Sequence, residues 1–202
     1  MNSQRTIYTV GYSTHELEFF IGLLKQHEIT AVADVRSHPS SRWTHFCRAE
    51  LQSHLKNVGI DYVYLGNELG ARRDERECYI DGAVVYDLVA MLPKFREGLE
   101  RLERGVAEHR IALMCAEKEP LDCHRSILIA RHLAAEGWRV RHILADGSVE
   151  EHTQTEDRLV KEMDIARTLF EPNLSRDELV QQAYQKRGKE IAYRVEEENV
   201  PE

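Results

Sequence analysis

Several things are scarce in this chain, and each scarcity excludes something. Cysteine appears four times in 202 residues, at Cys47, Cys78, Cys115 and Cys123. That is too few, and too unevenly spaced, for a disulfide framework, and there is no C-x2-C pair of the structural-zinc kind. No run of 18 apolar residues occurs, so no transmembrane helix is expected. The opening "MNSQRTIYTVGYS" has neither a long apolar stretch nor a cleavage site. A cytoplasmic protein is therefore expected. Positive charge is also short: 27 Lys+Arg stand against 35 Asp+Glu, a net charge of −8. Acid is in excess both before and after residue 150, which speaks against broad binding to a nucleic-acid backbone or a membrane surface.

Against these shortages stands an ordinary globular composition, 42% hydrophobic and 31% charged. Short apolar runs alternate with helical patterns. "TIYTVGY", "TAVADVR", "DYVYLG", "RIALMCA" and "RVRHIL" read as five strands. "HELEFFIGLLKQH", "RAELQSHLKNVG", "VVYDLVAMLPKFREGLERLERGVAEH" (broken near Pro93) and "CHRSILIARHLAAEG" read as helices. This order predicts an α/β fold, a mostly parallel sheet of about five strands with helices on both faces. Residues 154–170 and 175–189 read as a helical extension, "SRDE" being a capping box, and an acidic tail follows. The division expected is an α/β domain over 1–153 and an extension over 154–202. The extension is suited to pack on the domain or on a second copy of the chain. The stretch "NELGARRDERECYIDG" reads as a charge-balanced loop that could also serve as a lid.

Ligands of open parallel sheets bind beyond the carboxyl ends of the strands, and three strand ends here are rich in polar residues. After the first, Ser13 and Glu16 form a capping-box pattern, whose free N–H groups would also suit an anion. After the second, Asp34 needs a cationic partner, and Arg36 and Arg42 are near in sequence. They form either a structural ion pair or guanidinium groups offered to an anionic substrate. After the fourth, "CAEKEPLDCHRS" holds Cys115, Glu117, Cys123, His124 and Arg125. Asp122 reads as an N-cap, which puts Cys123 in the first helical turn. There the helix dipole lowers a thiol pKa, and Arg125 adds positive charge. Buried, inert thiols are the plain alternative. Cys115, Cys123, His124 and Glu117 are also metal-ligand types, but their spacing is unusual and adjacent residues rarely share one ion, so no metal is assigned. His152 is a weaker candidate. The sequence names no cofactor.

Read together, "TVGYSTHELEFFIGLLKQHEI", "AVADVRSHPSSR", "YVYLGNELGA", "LMCAEKEPLDCHRSILIARHL" and "ILADGSVEEHT" resemble domain-of-unknown-function family 488 of bacteria and archaea, over roughly residues 6–155. "ELGA" stands where many relatives read "ELGG". The resemblance implies a compact α/β domain and supplies no reaction. It implies a site at the strand ends, with Cys115, Glu117, Cys123 and His124 as reacting groups and Ser13, Asp34, Arg36, Arg42 and Arg125 as substrate-binding groups. A fold-level likeness to sulfur-transfer domains of the rhodanese type is loose, because Arg125 and Ser126 follow Cys123 by only two and three residues. The phosphatase pattern C-x5-R is absent from the sequence. An enzyme acting on a small anionic or nucleotide-like substrate, as a thiol-dependent transferase or hydrolase, is the leading expectation. A non-catalytic module binding a nucleotide or nucleic-acid end, and a metalloprotein using Cys115, Cys123 and His124, are the alternatives.

Overall fold

The structure is a computed structural model and describes residues 5–13, 15–166 and 173–195. Its centre is a six-stranded sheet. The strands are β1 (Thr6–Gly11), β2 (Ala31–Asp34), β3 (Asp61–Tyr64), β6 (Ile111–Cys115), β7 (Arg139–Ile143) and β8 (Val149–Glu151). Their order is β3-β2-β6-β1-β7-β8. All neighbours run parallel except β8, which is antiparallel to β7. A two-stranded ribbon, β4 (Tyr79–Ile80) with β5 (Ala83–Val84), stands apart.

The α/β architecture is the one the sequence pattern predicts, with one strand more in the main sheet. β8 escapes the pattern because "VEE" is short, charged and half-exposed. β2 and β6 are buried along their whole length, which is why they read as nearly unbroken apolar runs. The edge strand β3 alternates instead between exposed and half-buried positions.

Helices cover both faces. On one lie α1 (Leu17–Gln26) and α2 (Arg48–Asn57), which bury Phe20, Leu24, Leu51 and Leu55 against Tyr8, Val10, Val32 and Met114. α2 ends where Gly59 takes φ +76°, a left-handed stop natural to glycine. On the other face lie α3 (Gly66–Leu69), α4 (Tyr86–Ala90), α5 (Pro93–Gly105), α6 (Arg131–Ala135), α7 (His152–Glu162) and α8 (Arg176–Ile191). The break expected near Pro93 separates α4 from α5, with the proline opening α5, where its missing N–H costs nothing. α5 buries Phe95, Leu99 and Leu102 at helical spacing, and each such side chain contributes about 1.5–3 kcal/mol. α6 continues a wider π-helical segment, Arg125–Ala130, all six of whose residues are buried. The stretch read as an irregular loop holds most of α3, a 3₁₀ turn (Arg76–Cys78) and β4, and β5 follows it, taking Val84 from the start of the segment read as helical. Ser175 caps α8 in the expected capping box. The acidic end of the tail and residues 167–172 lie outside the described residues.

The chain leaves β1 toward β2 on one face and leaves β6 toward β7 on the other, so adjacent β1 and β6 form a topological switch point, where open α/β sheets place ligands. The pairing sets Gly11 opposite Cys115.

A buried polar chain fastens the C-terminal helices to the sheet. Thr9 Oγ1 meets His142 Nδ1 at 2.8 Å, His142 Nε2 meets His152 Nδ1 at 2.9 Å, and His152 Nε2 meets the Tyr184 hydroxyl at 2.9 Å. His152 is therefore a structural link. Burial holds both imidazoles neutral: His142 titrates well below its usual range, and His152 is lowered to about 4. Unfolded histidines take up protons below about pH 6.5, and these do not until far lower, so stability present above that pH is lost as the pH falls toward 4. Urea unfolding at pH 7, 6 and 5 should show this loss, up to about 1.4 kcal/mol per pH unit for each histidine. His152→Gln should flatten the slope. A wild-type stability unchanged between pH 7 and 5 would contradict the assignment.

Candidate active site

Three segments meet at the switch point. From β2 comes Asp34, which carries no solvent exposure. It holds Arg36 through paired bonds, Nε to Oδ1 at 2.9 Å and Nη2 to Oδ2 at 2.6 Å, and also accepts the Tyr62 hydroxyl at 2.6 Å. Arg36 Nη1 donates to Phe46 O at 2.9 Å and to the Tyr12 hydroxyl at 3.3 Å. Burial alone would lower the Arg36 pKa, but Asp34 outweighs it and the guanidinium stays charged. Burial and then the Asp34 charge push the Tyr62 phenol up. Four of the five guanidinium N–H groups are thus committed. The ion pair is the structural one that the sequence allowed, and one edge of Arg36 still lines the cleft.

The second segment follows β1. Tyr12 N donates to Cys115 O at 3.1 Å and Ser13 N to Ala116 O at 2.8 Å, so the chain runs alongside the loop after β6. Ser13 sits at φ +35° and does not cap α1. That helix starts at Leu17 after Glu16, with no side-chain cap. The Ser13 N–H is thereby spent and is not offered to an anion. Gly11 cannot carry a side chain, because a Cβ there would lie 1.9 Å from Glu117 O and 3.2 Å from an Arg125 nitrogen.

The third segment is the loop after β6. A 3₁₀ turn (Pro120–Asp122) precedes Cys123, which is extended at φ −134°, ψ 138°, whereas His124 is already helical at φ −59°, ψ −24°. Cys123 rather than Asp122 is therefore the helix cap. Its carbonyl accepts from Ser126 and Ile127, and its sulfur accepts the Arg125 N–H at 3.4 Å. Asp122 pairs instead with Arg187 of α8. Arg158 of α7 holds Glu119 at 2.6 Å, so the extension braces this loop.

Four side chains converge here. The ligand-type atoms of Cys115, Glu117, Cys123 and His124 all lie within 4.8 Å of one another. Both sulfurs are 3.8 Å from His124 Nδ1, and Cys123 Sγ is 3.0 Å from Glu117 Oε2. His124 Nε2 lies 3.0 Å from Val35 O, an acceptor only, so this nitrogen carries the proton and donates. Burial pushes the Cys123 thiol up, but the Cys115 thiol, the Arg125 charge and His124 outweigh it and hold it well below its usual value. Cys115 is driven well above, through its hydrogen bond to Cys123 and its burial. Burial and then the Cys123 charge raise Glu117. Burial would lower His124, yet its bond to Cys123 and the Cys123 charge raise it.

A cleft of about 360 Å³ opens over this cluster. It is lined by Cys115, Glu117 and His124 (here the floor), by Arg36, His38 and Arg72 (the cationic wall), by Tyr86, and by Ile191 and Tyr193 from the C-terminal segment (the rim). The structure brings Asp34, Arg36, Cys115, Glu117, Cys123 and His124 together. It does not bring Arg42, which is exposed, stands over the Trp43 ring and is not among the cleft-lining residues. Arg125 is adjacent but sealed in with no exposure, donating to Glu117 O at 2.7 Å and Lys118 O at 3.2 Å. Arg72, His38 and Tyr193 stand outside the set of site residues that the sequence predicts. Arg72 lies in a charge-balanced stretch, and Tyr193 reaches the rim only because α8 folds back, so neither carries a local signal.

Asp34→Asn keeps the shape and leaves Arg36 buried without its partner charge. It should cost about 3–5 kcal/mol in urea unfolding. Tyr62→Phe should cost less, about 1.5–3 kcal/mol. A loss under about 1 kcal/mol for Asp34→Asn would show that the pair does not hold the loop.

No curated protein matches the chain significantly. The family profile described as "Domain of unknown function DUF488" matches residues 16–132. That span is narrower than the motifs suggested. It takes in Asp34, Arg36 and the whole Cys115–Arg125 loop, and omits Ser13 and the rim residues from α8 onward. More than half of the chain is matched, through the strand ends that build the cleft, and the chain therefore belongs to the DUF488 family.

Proposed function

We propose that the cleft is the active site of an enzyme acting on a small anionic or nucleotide-like substrate, by group transfer or hydrolysis. The observation that carries this reading is the shared cleft: Arg36, His38 and Arg72 face the same space as Cys115, Glu117 and His124. Its volume, about 360 Å³, suits a small molecule and not a macromolecular surface. The cationic wall binds and orients the charged group of the substrate. The sulfur, carboxylate and imidazole groups on the floor form the reacting end. Arg72 is the substrate-facing cation, being exposed, with its guanidinium over the Tyr193 ring at 4.6 Å. Arg36 mainly shapes the wall. Cytoplasmic placement and assembly through the C-terminal helices belong to this same reading. Among the described residues no helix is long and apolar enough to cross a membrane.

Calorimetric titration with inorganic phosphate and with a nucleoside monophosphate tests it. Arg72→Ala should weaken binding about tenfold, equivalent to about 1.4 kcal/mol, with the melting temperature unchanged. Arg42→Ala should bind as the wild type does. Equal effects of the two substitutions, or no binding by the wild type, would overturn the anion-binding reading.

A further inference from the structure

The four-residue cluster gathers two buried thiols, a buried imidazole and an exposed carboxylate within 4.8 Å of one another. Two groups that are anionic when ionised, Cys123 Sγ and Glu117 Oε2, stand 3.0 Å apart. Cys115 and Cys123 are buried side by side, and both face the same imidazole nitrogen at 3.8 Å. Thiols that merely filled a core would not need a carboxylate and an imidazole turned toward them. A fully buried guanidinium, Arg125, also lies against the cluster. Among the described residues it forms no ion pair with a carboxylate, and its Nε has no partner. A buried cation calls for nearby negative charge, and the sulfurs are the groups in place to supply it.

We infer that Cys115, Cys123, His124 and Glu117 form a mononuclear site for a thiophilic divalent cation, zinc foremost, with Glu117 as the exchangeable ligand facing the cleft. The donor set of two sulfurs, one imidazole and one carboxylate suits zinc. A tetrahedral centre with Zn–S about 2.3 Å and Zn–N about 2.0 Å has a sulfur–nitrogen edge of roughly 3.5 Å, which small side-chain adjustments reach from the distances found. The sulfur–nitrogen distances here are 3.8 Å. The outer contacts are those of a metal centre as well. His124 donates its far N–H to Val35 O, which leaves the Nδ1 lone pair aimed at the sulfurs, and Cys123 Sγ receives the Arg125 backbone N–H. The sequence objection, that adjacent Cys123 and His124 would not share an ion, is met by the change from extended to helical backbone between them, which turns both side chains to one side. Cys115, Cys123 and His124 are buried while Glu117 is exposed. Three fixed ligands and one accessible position match catalytic rather than structural zinc. On binding, whatever thiol protons Cys115 and Cys123 still hold go to solvent and both sulfurs bond the cation as thiolates. Only the exchangeable role of Glu117 rests on the cleft being an active site.

The test uses full-length protein without a histidine tag, reduced, stripped with chelator and titrated with Co²⁺. One equivalent should produce a sulfur-to-cobalt charge-transfer band and intense tetrahedral visible bands, both erased by Zn²⁺. Cys115→Ser and Cys123→Ser should abolish or strongly weaken the charge-transfer band. Glu117→Gln should keep it and shift the visible bands, and Cys47→Ser should change nothing. Should the cysteine variants fail to fold, alkylation of wild-type protein in partly unfolding urea, with and without zinc and mapped by mass spectrometry, replaces them: zinc should slow the labelling of Cys115 and Cys123 and leave that of Cys47 unchanged. A folded wild type with no sulfur band, or a band that needs Cys47 instead, would overturn the site. Phosphate titration of the stripped protein separates the two readings. Phosphate binding without a cobalt band defeats the metal alone, and a cobalt band without phosphate binding defeats the anion wall alone.

Discussion

The parallel pairing of β1 with β6 is the constraint on which the rest of the molecule depends. It sets Gly11 against Cys115, and the crossovers leave these two strands toward opposite faces. The gap so created can be used only because residue 11 has no side chain, since the Glu117 carbonyl and the Arg125 guanidinium occupy the space a Cβ would take. From that one register follow the position of the loop after β6, the burial of Arg125 and the approach of Cys115 to Cys123.

A second link ties β2 to the same place. Val35 N donates to Met114 O, and Val35 O accepts from His124. The short "DVR" segment therefore does two things at once. Asp34 and Arg36 neutralise each other and anchor Tyr62, Tyr12 and Phe46, while the residue between them orients the imidazole. Of this motif Arg36 lines the cleft, and the Val35 carbonyl orients the imidazole that also lines it.

Much of this was legible in the sequence. Apolar β2 and β6, the helical spacing in α1 and α5 and the polar strand ends together indicated a parallel sheet with a site at one end. The local details were less legible. Ser13 and Asp122 look like caps, yet tertiary demands use the Ser13 N–H on Ala116 O and the Asp122 carboxylate on Arg187. Arg42 and Arg125 look like ligand groups in the sequence, which shows charge but not exposure. One lies out on the surface and the other is sealed beneath the loop. The rim formed by Ile191 and Tyr193 depends on α8 returning to the strand ends, which no local pattern encodes.

The extension is thus part of the site's construction. Arg158 and Arg187 clamp the loop that carries Glu117 and Cys123, and the Thr9–His142–His152–Tyr184 chain holds those helices to the sheet. The central claim is that Cys115, Glu117, Cys123 and His124 act as one centre. X-ray absorption at the zinc edge on zinc-loaded protein tests it most directly. The expected first shell is two sulfurs at about 2.3 Å and two nitrogen or oxygen neighbours at about 2.0–2.2 Å. A shell of oxygen and nitrogen alone, or no bound zinc, would contradict it.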